Sequence, residues 1–237
     1  METVKALTFD VFGTVVDWRA SIIREGEAFG RARGVGADWA RFADAWRGLY
    51  QPSMDEVRSG RRAWTKLDDL HRESLVRLLD DFGITGLDAA AIDDLNRAWH
   101  RLDPWPDVVA GLTRLKRKFV LATLSNGNVA LMVNMARRAG LPWDAILGAE
   151  PARAYKPRPD AYLRTADFLG LRPAECLMVA AHPNDLMAAR GCGFRTAYVP
   201  RPLEHGPERA VAFRADARPE FDVVAQDFVA LADELGA

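Results

Sequence analysis

The sequence predicts an α/β fold in which a parallel sheet is interrupted, after its first strand, by a block of helices. Three observations carry this prediction. A short apolar run from Val4 to Phe9 ends in Asp10, and Gly13 then lets the backbone turn sharply. From Asp17 to about His100, apolar residues recur at helical spacing and no convincing strand occurs. Beyond the two prolines of Asp103-Pro104-Trp105-Pro106, strands and helices alternate to the end of the chain. That alternation implies parallel strands joined by right-handed crossovers.

Each element has its own signal. Val4 to Phe9 reads as a buried strand. Arg19 to Arg33 carries Ile22, Ile23, Ala28 and Phe29 at helical spacing, and Trp39, Phe42, Ala43, Trp46 and Leu49 repeat the pattern. It recurs from Leu67 to Phe82, where Gly83 stops it, and a further helix runs from Leu87 to about Leu102. After the prolines come a helix from Val108 to Arg117, a strand from Phe119 to Leu124 and a helix from Asn128 to Ala139. Ile146-Leu147-Gly148 is a weak strand, and Asp160 to Leu169 is a helix closed by Gly170. Cys176 to Ala181 is an apolar strand, Asp185 to Cys192 a helix, Arg195 to Val199 the last clear strand and Phe228 to Leu235 a terminal helix.

Composition bounds the function. The 237 residues suffice for one large domain or for one domain with a sizeable insertion. A formal net charge of -1 offers no bulk attraction to nucleic acid or an anionic membrane. Two cysteines, Cys176 and Cys192, are too few for a disulfide framework. With no basic-then-apolar leader and no apolar run of bilayer length, the expected location is the cytoplasm.

In open α/β sheets, ligands bind at the carboxyl ends of the strands, so the polar residues there are the candidates. Asp10 can act as nucleophile, general base or metal ligand; the plainer role is a turn aspartate closing a strand. Ser125-Asn126-Gly127 offers donors to an anion, or caps for the next helix. In Tyr155-Lys156-Pro157-Arg158-Pro159 the prolines fix a loop around Lys156, whose ammonium would hold Asp10 ionised. The ordinary fate of a lysine is the solvated surface. Asp185 opens a helix, where its charge favours the dipole, and it can also pair with Lys156. His182 is a lone histidine in the same turn, a ligand or base at best on even terms with a structural one.

Taken together, Asp10 through Thr14, Ser125-Asn126, Lys156 and Asp185 resemble the four motifs of the haloacid dehalogenase superfamily, over essentially the whole chain. The resemblance implies a Rossmann-like core from residues 1–16 and 103–237, with a helical cap from 17–102 closing over the site. Most members are magnesium-dependent phosphatases. They carry one aspartate two residues after the nucleophile and another four before the last motif's aspartate. Here those positions are Phe12 and Ala181, which can supply neither an acid nor an oxygen ligand. Phe9-Asp10-Val11-Phe12-Gly13-Thr14-Val15-Val16-Asp17-Trp18 is similar instead to the opening of the type II L-2-haloacid dehalogenases, whose halide leaves without protonation. Trp46-Arg47 resembles the segment that supplies their halide-facing arginine, and Tyr162 matches a tyrosine of their site. Where they carry a serine and an asparagine that position water, this chain has Ala180 and His182.

The resemblance implies Asp10, Lys156 and Asp185 as catalytic residues, and His182, a departure in place of the water-positioning asparagine, is added to them as a hydrogen-bond donor or base. The resemblance also implies Thr14, Arg47, Ser125, Asn126, Tyr162, Phe12 and Val11 as substrate-binding residues, with no metal and no cofactor. Asp10 would attack C2 of a 2-haloalkanoic acid and form an ester with inversion, and fluoroacetate is a substrate to test because His182 reshapes the halide pocket. Ser125 and Thr14 would hold the substrate carboxylate, and one or two of the tryptophans would line the pocket. Homodimers are usual in that branch. Two other readings stay open: a phosphatase with a degenerate metal site, and a non-catalytic carboxylate-binding protein of the same fold.

Overall fold

The computed structural model describes residues 4–210 and 220–237. Residues 1–3 and 211–219, which the sequence reading assigns to the core segments, lie outside the described residues. In chain order the elements are β1 (Ala6–Phe9), β2 (Val16–Asp17), α1 (Trp18–Arg33), α2 (Trp39–Gly48), α3 (Tyr50–Arg58), α4 (Leu67–Asp81) and α5 (Ala89–Asn96). There follow β3 (Asp103–Pro104), α6 (Val108–Leu115), β4 (Val120–Ser125), α7 (Val129–Ala139), β5 (Ala145–Gly148) and α8 (Ala149–Ala152). The chain ends with α9 (Pro159–Phe168), β6 (Cys176–Ala180), α10 (Pro183–Gly191), β7 (Arg195–Tyr198), β8 (Val223–Val224) and α11 (Phe228–Glu234).

Among the described residues, six strands form one parallel sheet in the order β5-β4-β1-β6-β7-β8. β1 is central and buried along its whole length, as a parallel strand covered by helices on both faces must be. Phe9 is level with Thr123 of β4 and with Val179 of β6. The chain therefore leaves all three strands at one edge, where Asp10, Ser125-Asn126 and Ala181-His182 emerge side by side. Lys156 reaches the same edge from β5 through α8, and its backbone N–H donates to Asn126 Oδ1 at 2.8 Å. The sheet order alone thus gathers residues more than a hundred positions apart.

The helices α1 to α5 form one insertion, which leaves and re-enters the core through a feature absent from the sequence reading. β2 and β3 pair antiparallel at that crossing, with Asp17 opposite Asp103. Two residues per strand are too few to show alternation, and Pro104 argues against a strand except at an edge. Asp17 also caps α1 by accepting the Ala20 N–H at 3.0 Å. Sequence periodicity also missed α3, where Pro52 reads as a breaker. It sits in the first turn, where its missing N–H costs nothing. The helix expected up to Leu102 ends at Asn96 and continues as a 3₁₀ turn, Arg97–His100.

Trp18, Trp46 and Trp99 are fully buried where the insertion meets the sheet edge, with Trp46 and Trp99 in edge-to-face contact at 5.5 Å. A polar network ties insertion to core. Asn128 Nδ2 donates to Asp68 Oδ2 at 2.8 Å, His100 Nε2 meets Asp68 Oδ1 at 3.0 Å, and Asn134 Nδ2 meets His100 Nδ1 at 3.0 Å. Among the described residues, no helix is long and apolar enough to cross a membrane.

Candidate active site

Asp10 leaves β1 with its N–H donating to Val179 O at 3.0 Å, which aims its carboxylate out of the sheet edge. The turn behind it is tight. Val11 O accepts the N–H groups of Val15 and Val16 at 2.9 and 3.2 Å. Gly13 takes φ +87°, and a Cβ there would lie 2.1 Å from Glu204 Oε1. Glycine is required here both by conformation and by the carboxylate packed against it.

Three groups grip the Asp10 carboxylate. Lys156 Nζ donates to Oδ1 at 2.9 Å, Thr14 Oγ1 donates to Oδ2 at 2.7 Å, and His182 Nδ1 meets Oδ2 at 2.9 Å. Burial works against the charge of Asp10, but the Lys156 ammonium and the His182 ring outweigh it and hold the carboxyl far below the usual carboxylate range. Lys156 also donates to Asp185 Oδ2 at 2.5 Å, and Tyr162 Oη donates to Asp185 Oδ1 at 2.5 Å. Burial alone would lower the lysine's pKa, yet the two carboxylates raise it above its ordinary value. Burial, with the nearby charge of Asp10, pushes Asp185 up. The site therefore holds one strongly ionised carboxylate and one more basic one, joined by an ammonium group.

His182 stands between two carboxylates. Its Nε2 meets Glu204 Oε2 at 2.9 Å, and Trp18 Nε1 donates to Glu204 Oε1 at 3.1 Å. Carboxylates only accept, so both ring nitrogens must donate and the ring is an imidazolium. Burial opposes that charge, but the hydrogen bonds to Asp10 and Glu204 prevail and push the histidine up to about 10. Sequence reasoning missed Glu204. Its signal was position: Pro200-Arg201-Pro202-Leu203-Glu204 follows β7 at the same sheet edge as the other motifs.

These groups face a cavity of about 660 Å³ between insertion and core. Of the expected residues, Asp10, Phe12, Arg47, Asn126, Lys156, Tyr162, His182 and Asp185 line it, together with Tyr50 and Arg58, which the sequence did not single out. The Arg47 guanidinium lies 4.2 Å over the Tyr50 ring centroid. Its buried Nη1 has no hydrogen-bond partner among the described residues. Asn126 spends Oδ1 on the Lys156 N–H, which leaves its amide hydrogens as donors.

Val11, Thr14 and Ser125 are fully buried and lie outside the cavity lining. Thr14 Oγ1 accepts the Ala181 N–H at 2.9 Å, which turns its proton onto Asp10, and Ser125 Oγ accepts the Gly127 N–H at 3.0 Å. Thr14 gives its proton to Asp10 and so has none for the substrate carboxylate expected of it, whereas Ser125 Oγ only accepts here and keeps its proton to donate. Val11 packs in the core. Trp18, Trp46 and Trp99 support the cavity from behind, and the rings at its wall are Phe12, Tyr50 and Tyr162.

A sequence model of the haloacid dehalogenase-like hydrolases matches residues 4–193. The chain belongs to that family. A solved structure of a defluorinating L-2-haloacid dehalogenase is 46% identical, with a TM-score of 0.93 over 99% of this chain and 96% of that one. The (S)-2-haloacid dehalogenase of Xanthobacter autotrophicus is 30% identical over 204 residues, 84% of this chain and 76% of that relative. A solved L-2-haloacid dehalogenase from X. autotrophicus with chloropropionic acid covalently bound is 25% identical, with a TM-score of 0.80 over 99% of each chain. The family match spans Asp10, Lys156, His182 and Asp185, but Glu204 lies beyond it.

Proposed function

We propose that this haloacid dehalogenase-like hydrolase cleaves the carbon–halogen bond of short (S)-2-haloalkanoic acids and releases 2-hydroxy acids. The observation that carries the reading is the pairing, across one cavity, of an ionised Asp10 held by Lys156 with an unpartnered, buried Arg47 Nη1. A carboxylate and a free guanidinium donor suit a displacement in which negative charge moves from one to the other. Relatives named as (S)- and L-2-haloacid dehalogenases support the substrate class, and the covalently bound chloropropionic acid of one supports an enzyme-bound intermediate.

Asp10 attacks C2 opposite the halogen, the carbon–halogen bond breaks, and Arg47 with the Asn126 amide receives the halide. Attack from behind inverts C2. Water then attacks Cγ of the resulting ester, with its proton passing to Asp185, a carboxylate that burial makes more basic. The 46% identical neighbour is named as defluorinating, so fluoroacetate belongs among the substrates tested.

The residues do not fit a magnesium ion. Both Asp185 oxygens hold donors, Ala181 offers a methyl group, and an imidazolium and an ammonium already neutralise Asp10. The test is halide release from the two enantiomers of 2-chloropropionate and from fluoroacetate, in a chelator. Release from the S form alone, lost in Asp10→Asn, is the expected result. Magnesium-dependent cleavage of a phosphate ester without halide release would favour the phosphatase reading. Carboxylate binding without any product would favour the binding protein.

A further inference from the structure

The two oxygens of Asp10 are held differently. Oδ2 receives two donors, Thr14 Oγ1 at 2.7 Å and His182 Nδ1 at 2.9 Å. Among the described residues Oδ1 receives one, Lys156 Nζ at 2.9 Å. A carboxylate oxygen has about two in-plane acceptor sites, so Oδ2 is saturated while Oδ1 keeps a lone pair for attack. Both donors on Oδ2 are themselves fixed. The Ala181 N–H sets the Thr14 hydroxyl at 2.9 Å, and Glu204 holds the far side of the His182 ring at 2.9 Å. Glu204 is in turn anchored by Trp18 Nε1 and packed against Gly13.

The geometry points to Asp10 Oδ1 as the nucleophilic oxygen, and to the Thr14 hydroxyl and the His182 imidazolium as an oxyanion hole around Oδ2 for hydrolysis of the ester, with Glu204 as the positioning residue that keeps the ring charged and in place. This rests on the dehalogenase reading above. The ester forms on Oδ1, which leaves Oδ2 as its carbonyl oxygen, already seated against a hydroxyl and a cation. When water adds to Cγ, one water proton passes to Asp185 and the carbonyl electron pair moves onto Oδ2, where both donors receive it. Such donors act because they are aimed at the developing charge before it forms. Collapse of the adduct breaks Cγ–Oδ1. The departing alkoxide takes a proton from Lys156 Nζ, and protonated Asp185, bonded to the same Nζ, restores the ammonium. Asp10, regenerated as the acid, loses its proton to solvent.

The charges that face the ring are consistent with this role. Asp10 and Glu204 touch it; Lys156 and Asp185 lie beyond Asp10, and Arg47 and Asp17 act on Glu204 from a distance. Once Asp10 becomes an ester its negative charge is gone, and Glu204 is then the carboxylate left in contact with the imidazolium. The cation is therefore retained for the second step only if Glu204 is ionised, and His182 holds it below its usual range despite burial.

Formation and hydrolysis of the ester are separable in a rapid-mixing experiment. The enzyme is mixed rapidly with (S)-2-chloropropionate, and halide release and the intact mass of the protein are followed together. His182→Ala and Thr14→Val should still give a burst approaching one halide per site. Steady turnover should then fall about 100- to 1000-fold, with an Asp10 adduct accumulating. Glu204→Gln should show the same pattern with a loss of about 10- to 100-fold, and Thr14→Ser, which keeps the hydroxyl, should recover most of the turnover. Burst and turnover falling together without an adduct, or turnover unchanged in all the variants, would overturn the inference. Absence of halide from the unaltered enzyme would overturn the dehalogenase reading itself.

Discussion

Glu204 and His182 meet at 2.9 Å, and this contact places a charged ring on the side of Asp10 opposite Lys156. Asp10 is thus clamped between an ammonium and an imidazolium. Each cation is backed by its own carboxylate, Asp185 for Lys156 and Glu204 for His182. Three carboxylates there face two cations, and Arg47, whose buried Nη1 has no partner among the described residues, supplies the third positive charge and a donor still free.

The imidazolium links stability to pH. The folded-state pKa of His182, about 10, lies above the ordinary value of 6.5. Its contribution is therefore fully present below pH 6.5 and is lost as pH rises through about 10. Thermal melting followed from pH 6 to 10.5 should show a fall that is shallower in His182→Asn. A pH-independent melting temperature across that window would mean the ring is neutral in the folded enzyme.

Arg47→Lys keeps a cation but loses the planar fork that reaches the cavity from over Tyr50. The first step should slow by about 100- to 1000-fold, so that in rapid mixing the halide burst itself becomes slow. A variant with a normal burst would show that another donor receives the halide.

Lys156→Met places two buried carboxylates 146 and 29 positions away without their shared cation. Breaking such a cluster typically costs about 3–5 kcal/mol, and urea unfolding should register a loss of that order alongside lost halide release. An unchanged midpoint would show that Asp185 simply takes up a proton.

Gly13→Ala tests the turn. Its backbone strain alone is worth roughly 1–2 kcal/mol, and its Cβ would displace the Glu204 carboxyl from 2.1 Å away. The variant should be less stable and should also accumulate the ester as Glu204→Gln does. Loss of stability without the kinetic change would mean that Glu204 can relax without disturbing His182.

The sheet and the strand-end residues were legible because they follow strong local signals. Asp10 and Asp185 follow apolar strands, Lys156 stands in a loop fixed by two prolines, and parallel topology brings such strand ends together. Thr14 and Ser125 illustrate the limit. Their type and position suited an anion site, but hydroxyls beside a tight turn also bond backbone and neighbouring groups: Thr14 gives its proton to Asp10, while Ser125 accepts the Gly127 N–H and keeps its own. The two-residue strands β2 and β3 carry too little periodicity to be seen. Glu204 stayed hidden because its importance arises from three long-range contacts, to Gly13, Trp18 and His182, and nothing local announces them. His182 was visible only as a lone histidine until its second carboxylate was located.

The central claim is that Asp10 is alkylated and that water attacks its carboxyl carbon. The direct measurement is a single turnover of (S)-2-chloropropionate by excess enzyme in heavy-oxygen water containing a chelator, followed by mass analysis of the peptide bearing Asp10. The account predicts one heavy oxygen in Asp10 and none in the product of that first turnover. Heavy oxygen in the hydroxy acid with an unlabelled Asp10 would mean that water attacks the substrate directly, and would contradict the account.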